Sequence, residues 1–294
     1  MPEEVARGYF GRMARLNGLS IDHFERFFRS RDDALPGNAL LAGLERALGM
    51  SVTDFACRHT LLPFYCAVSQ QSTVVSGGFR SASPDLLRVN ANRKHLFARF
   101  CPLCALCDQA SFGFSYWRRI HQLPGIERCI EHGGPLRIVA SPMAINTMPC
   151  DNRLQDVSCP PRVTREDATQ VMIRYAQCVQ TFLRMPRPIA WNRFVHVLRA
   201  GARALNVGTS SRAPRKRSLL DVAQSTCCRR WLDRSFTARN RSTHTAIRSV
   251  SIIFKPGMTI SAPIYALAMA LLFEADLAAT LDILTADEDV SHAA

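Results

Sequence analysis

The stretch "CPLCALCDQASFGFSYWRRIHQLPGIERCIEHGGPL", residues 101–136, decides the fold because it places four metal-binding side chains in two short pairs. Cys101 and Cys104 have two residues between them, and Cys129 and His132 have the same spacing. Each pair is typical of the tight, rubredoxin-like turn of a zinc ribbon, which offers two ligands from one loop. Together the pairs supply the four sulfur and nitrogen ligands that tetrahedral zinc prefers. We therefore predict a Zn²⁺ site held by these four residues.

A site with four protein ligands has no position for water or substrate, so it serves folding and not catalysis. Pro102, between the first two ligands, suits a tight turn. Cys107 leaves one alternative open, since it follows Cys104 with the same spacing and could replace Cys101 as a ligand. A cluster of buried free cysteines is the other alternative, but it would not account for His132.

The insert between the two pairs, "YWRRIHQLPGIERC", combines aromatic and basic residues. One hypothesis is that the insert meets a phosphate backbone or a partner protein through Tyr116, Trp117, Arg118 and Arg119. The alternative is that the arginines are solvated and that the small core of the ribbon consists of Trp117, Ile120 and Leu123. We favour the core role for Trp117 and leave the role of the arginines open.

The charge of the chain predicts a polyanionic partner. The 294 residues carry a net charge of +13, and nucleic acid is the commonest partner of such a chain. Residues 168–220 contain ten Lys or Arg and no acidic residue, and residues 229–255 contain seven basic residues against one acid. A basic surface kept for solubility is the alternative.

Cysteine usage and hydropathy predict a cytoplasmic chain without a membrane partner. No stretch is apolar over the roughly 20 residues that span a bilayer, and the first ten residues do not resemble a signal peptide. In a reducing compartment, the 11 cysteines are expected to be metal ligands or buried small side chains.

Helical periodicity recurs through most of the chain. Four helical faces are predicted from these apolar sets: Val5, Tyr9, Met13 and Leu16; Leu40, Leu44, Ala47 and Leu48; Val171, Tyr175, Cys178, Val179 and Phe182; and Trp191, Phe194, Val195, Leu198, Ala202 and Leu205. Helix starts are indicated by Ser51 with Asp54, Thr164 with Asp167, and Ser261 with Pro263. Residues 67–93 are polar and rich in Gly and Ser, which predicts a loop.

We therefore predict a mainly α protein built around a central zinc ribbon with short β-strands. The expected parts are a helical, helix-turn-helix-like N-terminal domain (1–66), a connecting loop (67–97), the zinc-ribbon module (98–160), a helical basic C-terminal region (161–285) and a flexible tail (286–294).

A candidate DNA-binding element is "SLLDVAQSTCCRRWLDRSFTARNRS", residues 218–242. It is predicted to form a helix over 219–224, a turn at Ser225-Thr226, and a second helix with its arginines outward and Trp231 inward. An ordinary basic helical hairpin is the alternative. The predicted DNA contacts of this region and the preceding basic run are Arg215, Lys216, Arg217, Arg229, Arg230, Arg234, Arg239 and Arg241. The stretch 40–55 is nearly balanced in charge and better suits a protein contact.

The sequence gives little indication of a catalytic motif. The phosphate loop G-x4-G-K-[ST] does not occur, so ATP chemistry must lie elsewhere. The acidic runs Asp32-Asp33 and 287–289 are predicted to be loop or tail, whereas a two-metal nuclease needs carboxylates in a packed site. We expect a protein that is not an enzyme.

Three stretches resemble one known family. The Cys-Pro-x-Cys pair, followed by "YWRRIHQLP" and by Cys-x-x-His-Gly-x-x-Leu, closely resembles the zinc module of the TniQ/TnsD transposition proteins. Residues 3–20, "EEVARGYFGRMARLNGLS", are similar to the opening helix of that family, with Glu4, Arg12, Ala14, Asn17 and Gly18 in place. Residues 261–284 are similar to its late helix pair.

The chain departs from the family pattern in two places. Many relatives carry a second Cys-x2-Cys pair soon after the histidine, whereas this chain has only Cys150 and Cys159, so a second zinc is not predicted. Ala6-Arg7-Gly8 stands where the family has a serine.

The resemblance implies a targeting adaptor in DNA transposition, associated with the bacterial nucleoid. TniQ-like proteins recognise a target and connect it to the AAA+ ATPase of the transposon, which recruits the transposase. The implied partners are DNA, this ATPase and, in RNA-guided systems, a guide complex. Two alternatives stay open: a zinc-dependent transcription regulator and a pure protein-interaction scaffold.

Overall fold

The computed structural model describes residues 1, 3–28, 48–70, 98–141, 143–151, 157–158, 170–208, 217–236, 253–255 and 260–286. These residues are mainly helical with a few short strands, which confirms the predicted fold class. The helices are α1 (Ala6–Leu16), α2 (Ile21–Phe28), α3 (Val52–His59), α4 (Leu62–Tyr65), α5 (Pro102–Phe112), α6 (Gln170–Arg184), α7 (Trp191–Ala204), α8 (Leu219–Thr226), α9 (Arg229–Phe236), α10 (Ala262–Leu272) and α11 (Leu277–Thr285). The strands are β1 (Val68–Ser69), β2 (Ala98–Phe100), β3 (Arg137–Val139), β4 (Val157–Ser158) and β5 (Ile189–Ala190).

The chain divides into two compact units. The first unit consists of Met1–Leu62 and Phe79–Val163, and the second consists of Pro63–Gly78 and Thr164–Ala294. The first unit thus contains both the N-terminal helices and the stretch with the cysteine pairs. The finer domain boundaries expected from the sequence stay a prediction.

Helix α1 buries small residues in addition to part of the face that its large apolar residues predict. Ala6, Phe10 and Ala14 pack with aromatic side chains of α2 and α3, whereas Leu16 is 55% exposed. Another side of α1 packs closely against the backbone of Asn146. Gly11 allows this approach, because a Cβ at this position would collide with that backbone. The predicted face is right in part, because Val5 is buried and Tyr9 and Met13 pack, partly buried, against the group of Ala6, Phe10 and Ala14. The buried alanines and glycines were missed because hydrophobic periodicity gives them little weight.

The residues before α1 pair with the insert between the two cysteine pairs through an isolated antiparallel bridge, Glu4 with Arg118. The backbone N–H of Val5 donates to the Trp117 carbonyl at 2.8 Å, and the N–H of Arg119 donates to the Glu3 carbonyl at 2.8 Å. Trp117 is fully buried, and its indole N–H donates to the Thr147 carbonyl at 2.6 Å. The core role predicted for Trp117 is therefore confirmed.

Buried ion pairs reinforce this pairing. Glu4 is 0% exposed, and Arg12 donates to both of its carboxylate oxygens, at 2.9 and 2.8 Å. Arg119 is 3% exposed and donates to the Glu3 carboxylate at 3.0 Å and to the Thr60 carbonyl at 2.9 Å. The alternative that the insert arginines are only solvated is therefore wrong for Arg119.

His59, at the end of α3, also bonds to the N-terminal segment. Its Nδ1 lies 3.0 Å from the Glu4 carbonyl oxygen, and its ring stacks on Phe55 at 4.6 Å. Burial is the largest effect on this imidazole and lowers its pKa to about 4, so the ring is neutral in the fold. The start of α3 follows the predicted cap, since the Ser51 hydroxyl accepts from the Asp54 N–H at 3.1 Å.

A three-stranded antiparallel sheet, in the order β2-β3-β4, supports the cysteine pairs. Ala98 pairs with Val139, and Phe100 pairs with Arg137. The inward side chains of this sheet pack on Trp117 and Val5. Strand β2 ends one residue before Cys101, so the sheet fixes where the first pair begins.

The second unit is organised around α10, whose eleven residues are all buried. This helix packs against α6 and α7, and the rings of Phe194 and Tyr265 meet edge to face at 5.1 Å. The predicted faces of α6 and α7 are buried as expected, except that Leu205 is exposed just after α7. Pro263 lies in the first turn of α10, but Ser261 makes no capping hydrogen bond.

The stretch predicted as a loop begins with a strand. Val68 pairs in parallel with Ile189, so residues 68–69 join a two-stranded sheet with β5. A parallel pair so distant in the sequence has no local signal. Residues 71–93 of the predicted loop lie outside the described residues.

Several other predictions also fall outside the described residues. These are most of the helix with Leu40, Leu44 and Ala47, the cap of Thr164 with Asp167, and residues 287–294 of the tail. Within the described ranges, no helix combines the length and the apolar character that crossing a bilayer requires.

The buried pair of Glu4 and Arg12 generates a stability prediction. Arg12→Met removes the bidentate partner of a buried carboxylate, which keeps a single contact to the N-terminal ammonium of Met1 at 3.2 Å. The free energy of unfolding should therefore fall by roughly 3–5 kcal/mol. The double variant Glu4→Gln/Arg12→Met removes both charges and should recover a large part of this loss. Urea unfolding followed by circular dichroism measures both. A single variant within about 1 kcal/mol of wild type, or a double variant as unstable as the single one, would contradict the role of this pair.

Candidate metal centre

The structure brings the two predicted ligand pairs into one cluster. Cys101 immediately precedes α5, and Cys104 lies in the first turn of this helix after Pro102. The second pair closes a tight turn, in which the Cys129 carbonyl accepts from the N–H of Gly133 at 2.8 Å. Gly133 has a φ of 65°, a left-handed conformation that glycine adopts without strain.

The four ligand atoms are close enough to share one ion. The sulfur of Cys104 lies 3.5 Å from that of Cys129 and 3.3 Å from Nδ1 of His132. This nitrogen lies 3.6 Å from the Cys129 sulfur and 3.7 Å from the Cys101 sulfur, and all four atoms lie within 4.8 Å of one another. Zinc–ligand bond lengths place tetrahedral ligands about 3.8 Å apart for two sulfurs and about 3.6 Å apart for sulfur and nitrogen. The spacing therefore fits a tetrahedral ion.

Burial distinguishes the cysteines of the cluster from Cys107, the other candidate ligand. The three cysteines of the cluster are buried and His132 is exposed, whereas Cys107 is exposed and lies outside the group. A free-cysteine cluster would not need a histidine nitrogen among its sulfurs. The structure thus places together the first ligand set, while the metal-binding role of these residues stays a prediction.

The thiols of the cluster influence one another. The hydrogen bond between Cys104 and Cys129 raises the pKa of Cys104 and lowers that of Cys129, so one thiolate is favoured over two thiols. Burial raises the pKa of Cys101. A divalent cation is the group that would let all three ionise together, because a metal ion deprotonates a coordinating thiol.

A polar shell beside the cluster was not predicted from the sequence. Arg118 donates to the Asp108 carboxylate at 2.7 Å and approaches Glu131 at 3.5 Å, and the Cys104 sulfur lies 3.5 Å from the Glu131 carboxylate. Asp108 is buried one turn after Cys104 on α5. Only the spacing of four residues between these two positions on one helix could have indicated their proximity.

The candidate DNA-binding element lies in the second unit. Helices α8 and α9 have the predicted order, although α8 extends through the predicted turn to Thr226. Trp231 is buried and meets the ring of Tyr175 at 5.4 Å. The outward side of α9 exposes three arginines: Arg229, Arg230 and Arg234.

The other predicted DNA contacts are less well defined. Arg217 is exposed and donates to the Ser225 hydroxyl at 2.7 Å. The remaining ones lie outside the described residues: Arg215, Lys216, Arg239 and Arg241. Contact with DNA stays a prediction for all of them.

Over the described part of the chain, one group of three or more potential metal ligands is found, the cluster itself. Cys150 is exposed, and Cys159 is outside the described residues. The described residues thus form a mainly helical protein, and its Cys3His cluster can hold a metal ion.

Comparison with known proteins gives the family. The TniQ family model matches residues 1–136, a range that contains the N-terminal helices and all four residues of the cluster. The chain therefore carries a TniQ domain over these residues, which confirms the resemblance seen in the sequence. No curated protein matches the chain. The TniQ domain is associated with target selection in transposition, and TniQ family proteins are non-enzymatic adaptors that act with DNA and partner proteins.

The cluster generates a metal-binding prediction. Purified protein should contain one equivalent of zinc, and Cys129→Ser should lose it because a tetrahedral site needs all four ligands. Cys107→Ser is the matched control and should keep the metal, since this thiol is exposed and outside the cluster. Elemental analysis of each protein measures the content. Wild type with less than about half an equivalent, or Cys129→Ser with unchanged content, would contradict the prediction.

Proposed function

We propose that this chain is a non-enzymatic targeting adaptor in DNA transposition. It recognises target DNA, or a complex that targets DNA, and recruits the AAA+ ATPase of the transposon. The observation that carries this proposal is the TniQ match over residues 1–136. The ligand cluster agrees with it, because four protein ligands would complete the shell of a tetrahedral ion and leave no open position for substrate.

The metal of this proposal is zinc. Thiolate and imidazole ligands at tetrahedral spacing suit zinc, while magnesium and calcium prefer oxygen ligands. Cys101, Cys104, Cys129 and His132 would hold the ion, which would supply folding free energy when bound. In this role the metal stabilises the TniQ domain and takes no part in a reaction.

DNA binding is assigned to the basic second unit. The exposed arginines of α9 lie on a helix whose opposite side is anchored by Trp231, so they can contact phosphates without disturbing the core. Arg230 and Arg234 carry their charge at the surface, and Arg229 makes only a long ion pair with Asp233, at 3.8 Å. Such an exposed pair is weak and can exchange its carboxylate for a phosphate.

Protein contact is assigned to the N-terminal helices. Leu16 and Leu19 are exposed large apolar side chains near the end of α1, among residues of mixed charge. Apolar residues in such surroundings suit a specific protein interface. Deleting residues 1–60 would not test this assignment cleanly, since the segment before α1 pairs with Trp117 and Arg119 beside the metal cluster.

The proposal predicts that DNA binding is sensitive to salt and that the DNA-bound protein retains the ATPase. On immobilised duplex DNA, wild type should retain the AAA+ ATPase of its transposon. Arg229→Glu/Arg230→Glu should weaken binding to all sequences and lower the log–log salt slope by roughly 1.8, about 0.9 per lost phosphate contact. Retention of the ATPase should fall in parallel. Filter binding over a salt series and analysis of the bound fraction measure the two effects.

A matched control separates charge from position. Arg26→Glu/Arg58→Glu makes the same charge change at exposed arginines of the first unit and should leave the salt slope unchanged. DNA binding without ATPase retention would favour the transcription regulator. ATPase retention without DNA binding would favour the protein-interaction scaffold. Equal losses in the two double variants would show that net charge, and not α9, governs DNA affinity.

A further inference from the structure

The outward side of α7 carries a row of polar and basic side chains. Asn192, His196, Arg199 and Arg203 are all exposed, and their spacings of four, three and four residues put them on one face of the helix. We call this set the α7 stripe. The opposite side of α7 is buried in the core of the second unit, so the stripe is the face that this helix presents to a partner.

The positive charge of α7 is not balanced along the helix. Residues 191–204 contain three arginines and no Asp or Glu. Arg199 and Arg203 are four residues apart, a spacing at which like charges destabilise a helix. In α9, by contrast, Arg229 has an acidic partner in Asp233, at 3.8 Å. A surface that serves only solubility is better built from both signs, whereas a polyanion bound along α7 would offset this repulsion.

Further basic residues lie beside the second half of the α7 stripe. The guanidinium of Arg199 donates to the Phe254 carbonyl at 3.1 Å, and the next residue, Lys255, is exposed. Just after α7, the N–H of Gly208 donates to the Arg217 carbonyl at 2.9 Å, and Arg217 is exposed as well. The stripe is therefore continuous with the start of α8, which leads into the candidate DNA-binding element.

Helix α6 holds α7 and α9 in one packed core. The ring of Phe182 meets that of Phe194 on α7 at 6.1 Å, and the ring of Tyr175 meets that of Trp231 on α9 at 5.4 Å. Tyr175 and Phe182 are seven residues apart, so the two contacts lie on the same side of α6, about 10 Å apart along its axis. The basic surfaces of α7 and α9 are thus carried by one framework.

We propose that the α7 stripe is a second DNA-contacting surface, which binds the phosphates of one strand while the arginines of α9 contact the same duplex. The inference rests on the proposed DNA binding of the second unit. His196 and Arg203 are about 10 Å apart along the helix, a length of duplex over which one strand presents about three phosphates. Arg199 and Arg203 bind these phosphates through charge-assisted hydrogen bonds. Such contacts set affinity and register but carry no sequence information.

The test measures the salt dependence of duplex binding by filter binding. Arg199→Gln/Arg203→Gln removes two phosphate contacts and should lower the log–log salt slope by roughly 1.8, equally for unrelated sequences. Combined with Arg229→Glu/Arg230→Glu, the loss should be roughly 3.6, because two separate surfaces contribute additively.

The matched control for this test is Arg26→Gln/Arg58→Gln, which removes two exposed arginines of the first unit. Its slope should stay close to that of wild type. An unchanged slope in Arg199→Gln/Arg203→Gln, or an equal loss in the control, would overturn the inference. So would a loss confined to one DNA sequence, because it would indicate contact with base edges and not with phosphates.

A measurement on the unchanged chain covers the case in which the α7 variant does not fold. Bound duplex DNA should protect Arg199 and Arg203 of wild type from phenylglyoxal, which modifies arginine, whereas Arg184 at the end of α6 should react equally with and without DNA. Mass spectrometry of the peptides measures the modification.

The outcomes separate this inference from the proposed function. Full modification of Arg199 and Arg203 in the DNA-bound protein would overturn the inference alone. Wild type that does not bind duplex DNA at low salt would overturn the proposed DNA binding and the inference together.

Discussion

The approach of four ligand atoms from two turns, separated by 24 residues of sequence, is the constraint on which the first unit depends. The atoms lie within 4.8 Å of one another only because the chain on both sides of each turn is held. Strand β2 pairs with β3 around the cluster, and the insert is held from the opposite side by the segment before α1. The buried carboxylate of Glu4 and the buried guanidinium of Arg119 belong to this second support. Their desolvation is offset because each is paired and hydrogen-bonded.

This arrangement agrees with the adaptor role that we propose. The cluster would use its whole ligand set for structure, so recognition is left to surfaces carried by the two units. The insert is part of this support: Arg119 binds backbone carbonyls of the N-terminal region, and Arg118 binds Asp108. The aromatic and basic composition that suggested a phosphate contact is used inside the protein. The proposed function instead assigns DNA contact to the exposed arginines of the second unit.

The sequence was sufficient where the determinants are local. The two ligand pairs follow from their spacing, and the buried faces of α6 and α7 follow from a clear helical period. It was insufficient where partners are distant, as for Arg119 and Glu3, which are 116 residues apart, and for the parallel pair of β1 and β5. For helix α1 the prediction was incomplete for another reason. Alanine and glycine line its buried sides, and their small size is what allows close contact, but it leaves a weak hydrophobic signal.

The coupling between the cluster and the N-terminal segment is the central claim, and hydrogen–deuterium exchange of the zinc-loaded and chelator-treated protein tests it most directly. If the cluster organises the first unit, removal of the metal should abolish amide protection in residues 3–16 and 117–123 together with α5. Protection in α6 and α7 should not change, because these helices belong to the second unit. Confirmed loss of zinc with unchanged protection in residues 3–16 would contradict the account.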